Sequence, residues 1–493
     1  MRIGAGYRAH GRSASARCCV RKFDFAWRAP YDALLKNQIL ALSLQEARIL
    51  NFEKTGNELP TASTQLMNLV YITADFGVPL FGFKGASIHV RELVTALQHC
   101  GHAVCVCSPA TEEEATSFGE LAPPHAPFAA AARRRGHLTF LPVAPSAEQV
   151  RAFKELEALD KFWGVKTRVR HELRNQLYNL ALFEAALELA RASRIDFVYE
   201  RYSLFSYAGI RLARELGVPH LLEVNAPLAY EQEKMRGLEM KELAREMERH
   251  IFCGSDQVLV VSRALQDYVS SCGVSPERVR VIPNAVDPRR FVAPTAGRSV
   301  RAQYQLEDKF VIGFVGSLKP WHGTDTLLEA FNELHEQAPH AHLLIVGDGP
   351  ARAALEHYAA KYELASFVTF TGNVPYEQVP EYVAAMDVTV APYTPHENFY
   401  YSPIKIFEYM VMGKPVIAGA LGQVKDLVHD GETGLLYEPG NIPQLTSALM
   451  TLAHDASFTR AMGEKAGVWV RRERTWENNA RLVVEVAQRL GKK

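Results

Sequence analysis

Lys405 and Glu408 lie three residues apart in the otherwise apolar run SPIKIFEYMVMGKPVIA, residues 402–418. On a helix, a cation and a carboxylate at that spacing have two uses. As a plain i, i+3 ion pair they add about 0.2–0.5 kcal/mol to helix stability. As ligand groups they match two parts of one molecule: the ammonium meets a phosphate, and the carboxylate accepts two hydrogen bonds from a vicinal diol such as ribose. Ser402 has the side chain of an N-cap, Pro403 is preset for the first helical position, and Gly413 with Pro415 supplies the stop. A helix over about 403–412 is therefore predicted. Lys405 in its first turn opposes the helix dipole, whereas an anion at that end gains about 0.3–2 kcal/mol. A phosphate would offset what the lysine costs.

Other short motifs carry less. FGFKGAS puts Gly82 and Gly85 around Lys84 on a loop between a strand and a helix, where glycines allow a ligand close to the backbone. It does not match the G-x-G-x-x-G fingerprint, and a turn explains two such glycines equally well. VGDGP, residues 346–350, reads as a strand end with a tight turn. His89, His171 and His322 are scattered, and a lone histidine is more often structural than a ligand. The sequence contains no D-x-D triplet to hold a divalent metal, no G-x-S-x-G elbow and no G-x4-G-K-[ST] loop. These absences disfavour a metal-held diphosphate, a serine hydrolase and a P-loop nucleotidase.

The elements that must position such groups are legible as alternation. Strand-length apolar runs at 69–74, 103–108, 138–143, 196–201, 220–225, 257–262 and 279–286 form one set. Runs at 311–317, 342–349, 367–373, 388–393, 415–420 and 434–439 form another. The hydrophobicity is continuous rather than alternating, so both sheet faces are covered, as in parallel sheets flanked by helices. The chain reads as α/β, with two Rossmann-like doubly wound domains over 67–288 and 300–470 and a Pro-, Gly- and Arg-containing linker near 288–305. Residues 111–190 are expected to be helical apart from APPHAP and the 138–143 run. Residues 1–66 are basic and aperiodic at first and then weakly helical, which fits a dispensable, mostly disordered extension, a transit peptide or a stretch upstream of the true start.

Length and composition bound the function. A chain of 493 residues suggests two or three domains, and an apolar fraction of 48% suggests globular ones. Lys plus Arg and Asp plus Glu number 55 each, so the positive field that draws nucleic acids is missing. Seven cysteines without a C-x2-C pair fit neither a disulfide framework nor a zinc ribbon, and point to a reducing, cytoplasmic setting. No apolar run approaches the ~18 residues of a spanning helix. Peripheral attachment stays open: VKTRVRHELRNQ places Lys166, Arg170 and Arg174 about one turn apart, a pattern that usually marks a solvated face.

Several ordered pieces over residues 67–490 together resemble the family-4 glycosyltransferases: GFKGASIHVRELVTAL, VIPNAVDPRRF, IGFVGSLKPWHGTDTLLEAF, LLIVGDGP, FTGNVPYEQVPEYVAAMDVTVAPY and SPIKIFEYMVMGKPVIAGALGQVKDLVHDGETGLLYEPGN. The resemblance implies the GT-B fold, with a helix near 474–490 crossing back to the first domain. It implies a retaining, metal-independent sugar transfer from a UDP-, GDP- or ADP-sugar to a glycan, lipid-linked or small-molecule acceptor, with no cofactor, and peripheral membrane docking in members that use lipid acceptors. Oligomeric state does not follow from it.

By position, Glu408 matches the second glutamate of the family's paired motif, the one that holds ribose. The first falls on Tyr400, which leaves Glu397 as the nearest upstream carboxylate. The arginine and lysine usual around the GSLKPWHG loop are Ser317 and His322 here, so Lys319 and Lys405 are the replacement cations at the diphosphate. The resemblance assigns the donor also to Ser402, Ile404, Gly316, Asn373, Val374, Gly85 and Lys84, and the acceptor side to Glu223, Asn225 and Glu231. A GT-B epimerase or phosphorylase, and a non-catalytic sugar-nucleotide-binding scaffold, are the alternatives, the latter prompted by the uncharged Tyr400, Ser317 and His322.

Overall fold

The structure is a computed structural model that describes residues 65–80, 82, 84–110, 133–165, 167–292, 297–395 and 398–492. Residues 1–64 of the expected extension over 1–66, together with Lys166 and Glu397, lie outside them. Residues 66–493 form one unit with two sheets. The first contains β1 (Asn68–Thr73), β2 (Ala103–Pro109), β3 (Arg133–Arg135), β4 (Leu138–Val143), β5 (Phe197–Arg201), β6 (His220–Val224), β7 (Gln257–Val260) and β8 (Val279–Val281). The second contains β9 (Phe310–Val315), β10 (Ala341–Val346), β11 (Val368–Phe370), β12 (Val388–Ala391), β13 (Val416–Gly419) and β14 (Gly434–Tyr437).

The first sheet runs β3-β4-β2-β1-β5-β6-β7-β8 and the second β11-β10-β9-β12-β13-β14. All pairings are parallel except β3 with β4. Strand order reverses between β1 and β5 and again between β9 and β12. At such reversals the flanking loops diverge and leave a crevice beyond the strands' carboxyl ends. The fold thus points to one position in the second lobe, where Gly316 leaves β9 and the chain leaves β12 toward the helix Ile404–Val411.

Two expectations are corrected. β3 was not anticipated, because a three-residue arginine run carries no apolar pattern and only antiparallel pairing at the edge defines it. Part of the expected linker is the helix Gly297–Gln303, whose Arg301 donates to the Ala385 carbonyl and pairs with Asp387 at 2.7 Å. The helix Trp476–Leu490 buries Trp476, Ala480, Val483 and Val484 with Leu69, Val90 and Leu93 of the first lobe. The two chain crossings are bonded to each other: Val286 N donates to the Arg474 carbonyl at 3.1 Å, and Trp476 N to the Val286 carbonyl at 3.2 Å. Among the described residues no helix is long and apolar enough to cross a membrane.

Candidate functional site

The helix Ile404–Val411 starts one residue later than the sequence suggests, and Ser402 does not cap it. Its hydroxyl instead accepts from the backbone N–H of Asn284 at 2.9 Å, so the loop ahead of the helix is fastened to the segment between the lobes. Gly413, at φ 68°, ends the helix in the left-handed conformation expected of a glycine stop.

Lys405 reaches back toward the end of β9. Its Nζ is fully buried without a hydrogen-bond partner, 4.1 Å from the Phe314 ring centre and 5.6 Å from that of Tyr393. Cation–π contact replaces only part of the lost hydration. Burial pulls the ammonium down to about 7, with Glu408 opposing. Gly316 has φ 145°, and a Cβ there would stand 2.7 Å from the Lys405 Nζ. Only glycine therefore lets the β9 loop backbone pass so close to the ammonium.

Glu408 is 5% exposed, and its Oε1 accepts from the Tyr376 hydroxyl at 2.9 Å. Burial raises it to about 7 against the Tyr376 hydrogen bond, and Glu92 of the first lobe raises it further. Glu92 is itself lifted to about 7 by burial, although Arg290 lies 3.0 Å away. Glu408 therefore sits at the junction of the lobes. Ile404 packs against the first-lobe core.

His322 ends a short turn, Pro320–His322, and its Nδ1 donates to the Ser317 carbonyl. Burial first, then the charges of Lys405 and Lys319, push the imidazole down to about 3 against that hydrogen bond. It is a neutral group at a position where the family resemblance expects a cation. Ser317 and Lys319 are exposed, with the Lys319 Nζ 4.9 Å above the Trp321 ring. Asn373 is exposed, and Val374 is half-buried against the second-lobe core.

Tyr400 is buried among first-lobe residues including Tyr202, Leu204 and Leu265. Its carbonyl accepts from Ser262 Oγ at 2.7 Å, and its hydroxyl meets Tyr401 and Glu231. Tyr400 thus joins the lobes by packing, and Glu231 is one of its partners.

The first-lobe residues are arranged differently. Glu223, at the carboxyl end of β6, is 3% exposed. It accepts from Tyr199 and Asn225, from Arg201 at 2.8 Å, and faces His89 Nε2 at 2.8 Å. Burial would raise its carboxyl, but His89, Arg201 and Tyr199 bring it down to about 2. The cavity beside it, about 20 Å³, is lined by His89, Leu93, Tyr199 and Trp476 among others and has room for a water rather than a sugar. Asn225 is half-buried, while Lys84 and Gly85 are exposed at the start of the helix Gly85–His99.

Sequence reasoning did not single out Phe314, Tyr393, Tyr376 or Asn284. His89 read as a structural histidine. Its signal was its place with Glu92 on the face of Gly85–His99 that carries Leu93 and Leu97, two polar groups in a buried stripe.

Residues 83–290 match the family "Glycosyltransferase Family 4", and residues 309–455 match "Glycosyl transferases group 1". The chain is 30% identical over 254 residues to a GDP-mannose-dependent alpha-(1-6)-phosphatidylinositol monomannoside mannosyltransferase of Mycolicibacterium smegmatis, covering 51% of this chain and 66% of the relative. It is 28% identical over 260 residues to an alpha-D-kanosaminyltransferase of Streptomyces kanamyceticus, covering 52% and 66%. In both cases the chain spans just under two thirds of the relative's length. The structure of Anabaena HepE in complex with UDP and glucose superposes with a TM-score of 0.63 at 18% identity, over 86% of this chain and all of that one.

Proposed function

Because the chain belongs to the family-4 glycosyltransferases and has their GT-B fold, we propose that it moves a sugar, with retention, from a nucleoside-diphosphate sugar to a glycan, lipid-linked or small-molecule acceptor. The observation that carries this reading is the buried, unpartnered ammonium of Lys405 at the switch point of the second sheet, one turn before Glu408. A diphosphate between the Gly316 loop and the helix start would give Lys405 its counter-charge, and Glu408 would take the ribose hydroxyls in exchange for Tyr376.

As the bond from the anomeric carbon to the diphosphate oxygen breaks, charge grows on the leaving phosphate while the sugar becomes oxocarbenium-like. A fixed cation facing that phosphate strengthens its interaction as the reaction proceeds, and removal of one preorganised contact of this kind costs about 3–4 kcal/mol of barrier. Lys319, exposed at the loop rim, is the second cation within this reading. The acceptor enters from the first lobe, and closure of the lobes keeps water from hydrolysing the donor. The residues named suffice without a metal or cofactor, and the setting is the cytoplasm or the inner face of a membrane.

Thermal shifts with uridine, guanosine and adenosine diphosphates and their sugars test the donor site, since a ligand at 100 times its Kd adds about 2.7 kcal/mol. A shift for one base, lost in Glu408→Ala with the fold retained, is expected; equal shifts in variant and parent would remove the ribose role. The neutral His322 favours one other reading, a sugar-nucleotide-binding scaffold. Retained binding with no release of nucleoside diphosphate across a broad acceptor panel would establish that alternative.

A further inference from the structure

The acceptor-lobe carboxylate and the donor helix are joined by one continuous line of buried polar groups, and its middle member is His89. Starting in β5, Arg201 Nη1 donates to Glu223 Oε1 at 2.8 Å. His89 Nε2 faces the same oxygen at 2.8 Å, and His89 Nδ1 faces Asn284 Oδ1 at 2.6 Å. Asn284 Nδ2 then donates to the Ser402 carbonyl at 2.6 Å, while the Asn284 backbone N–H donates to Ser402 Oγ at 2.9 Å. Two residues later the helix carrying Lys405 and Glu408 begins.

The chemistry fixes the direction of each bond. Asn284 uses its NH2 group on a carbonyl, so its oxygen is the atom that meets His89. Both ring nitrogens of His89 therefore face oxygens: Nδ1 is hydrogen-bonded to the Asn284 amide oxygen, and Nε2 stands within ion-pair distance of Glu223 without a hydrogen bond of its own. The ring is held from the side by the Trp476 edge, with centroids 4.9 Å apart, and Asn479 of the same helix donates to the Pro283 carbonyl at 2.8 Å. The line thus passes through the segment at Asn284 between the lobes and is flanked by the helix Trp476–Leu490.

From this geometry we propose that His89 is a positioning residue: it fixes the loop before the donor helix to the acceptor lobe, so that the helix start stands in register with whatever the first lobe binds. The proposal rests on the glycosyltransferase reading only for its kinetic consequence. The donor's own partners, Lys405 and Glu408, are in the second lobe, so loosening the line leaves donor binding intact and disturbs alignment. Misplacement of a reacting group by about 1 Å can cost on the order of 100-fold in rate.

The test uses His89→Gln and Asn284→Ala in the full chain. His89→Gln can donate to only one of the two acceptors, and Asn284→Ala leaves the His89–Glu223 pair in place should the first variant fold poorly. Hydrogen exchange over residues 398–411, read by mass spectrometry, is expected to quicken about 10-fold in each variant, the loss of roughly one buried hydrogen bond. Unchanged exchange there in both variants overturns the proposal, whether or not transfer has been detected. With an active donor and acceptor pair, kcat should fall at least about 10-fold while nucleoside diphosphate Kd stays within about 3-fold. A lowered Tm with kcat and KM unchanged would make His89 merely structural and sink the idea. A parent protein that binds no nucleotide would refute the proposed function and leave the exchange result standing.

Discussion

The two lobes bury charge in opposite ways. In the first, Glu223 has Tyr199, Asn225, Arg201 and His89 around its two oxygens and is held near 2 as a carboxylate. In the second, the Lys405 ammonium has two aromatic rings and no hydrogen-bond partner, and Glu408 has one tyrosine. A buried charge with matched partners contributes to the fold, whereas one without them costs stability until something supplies the missing counter-charge. Within the proposed function the contrast fits ligand space around the lysine and framework around Glu223, which the resemblance had assigned to the acceptor side.

The largest effect should come from breaking the framework side. Glu223→Ala leaves Arg201 and His89 without their carboxylate, and loss of one partner of a buried pair costs about 3–5 kcal/mol. Urea unfolding checks this. The carboxyl lies near 2 in the folded chain against an ordinary 4.5, so its stabilisation is fully present above 4.5 and fades as pH falls toward 2. The gap between parent and variant should close on acidification. A small stability loss coupled to a large rise in acceptor KM would instead move Glu223 to the ligand side.

Lys405→Met should do the reverse. Removing an unpartnered buried ammonium and restoring apolar packing leaves the ligand-free protein as stable or more stable, by up to about 1–4 kcal/mol. Turnover should fall by about 3–4 kcal/mol of barrier, several hundredfold. A variant that loses stability and keeps its activity would erase the difference between the lobes.

The sheets were readable because parallel strands buried on both faces leave unbroken apolar runs, and all six second-lobe runs became strands. The helix around Lys405 was readable from Pro403 and Gly413, whose backbone preferences act locally. What stayed hidden depends on contacts far along the chain. Ser402 looks like a cap until Asn284, 118 residues away, takes its hydroxyl. The bonds of Glu223 to Tyr199 and Arg201, 24 and 22 residues away, are equally invisible in the sequence. Tyr400 reads as a lost carboxylate, yet its ring fills a first-lobe core that no local pattern announces.

A finer effect is the pH dependence of donor binding. The free Lys405 sits near 7 rather than its ordinary 10.5, so between those values the empty site loses its proton while a bound diphosphate demands it. Binding must then take up a proton, and affinity should fall by up to about tenfold per pH unit above 7. Calorimetry in buffers of different ionisation enthalpy reads the uptake directly. Lys405→Arg, which stays charged, should flatten the dependence. A flat profile in the parent would mean that the ammonium already has its counter-charge without the donor.

The smallest effect returns to the first lobe, at Gly82 and Gly85. A Cβ on Gly82 would stand 2.8 Å from Ser87 Oγ and 2.9 Å from Pro79 Cγ, whereas one on Gly85 meets nothing within 4 Å. Gly82→Ala should therefore destabilise the turn, and Gly85→Ala should stabilise the chain by about 0.4–1 kcal/mol by restricting the unfolded state. If the open space over Gly85 belongs to a ligand, the same methyl group raises KM for donor or acceptor while Tm goes up, the pattern expected of Lys405 rather than of Glu223. Unchanged KM values with a raised Tm would confine the unsatisfied, ligand-seeking surface to the second lobe.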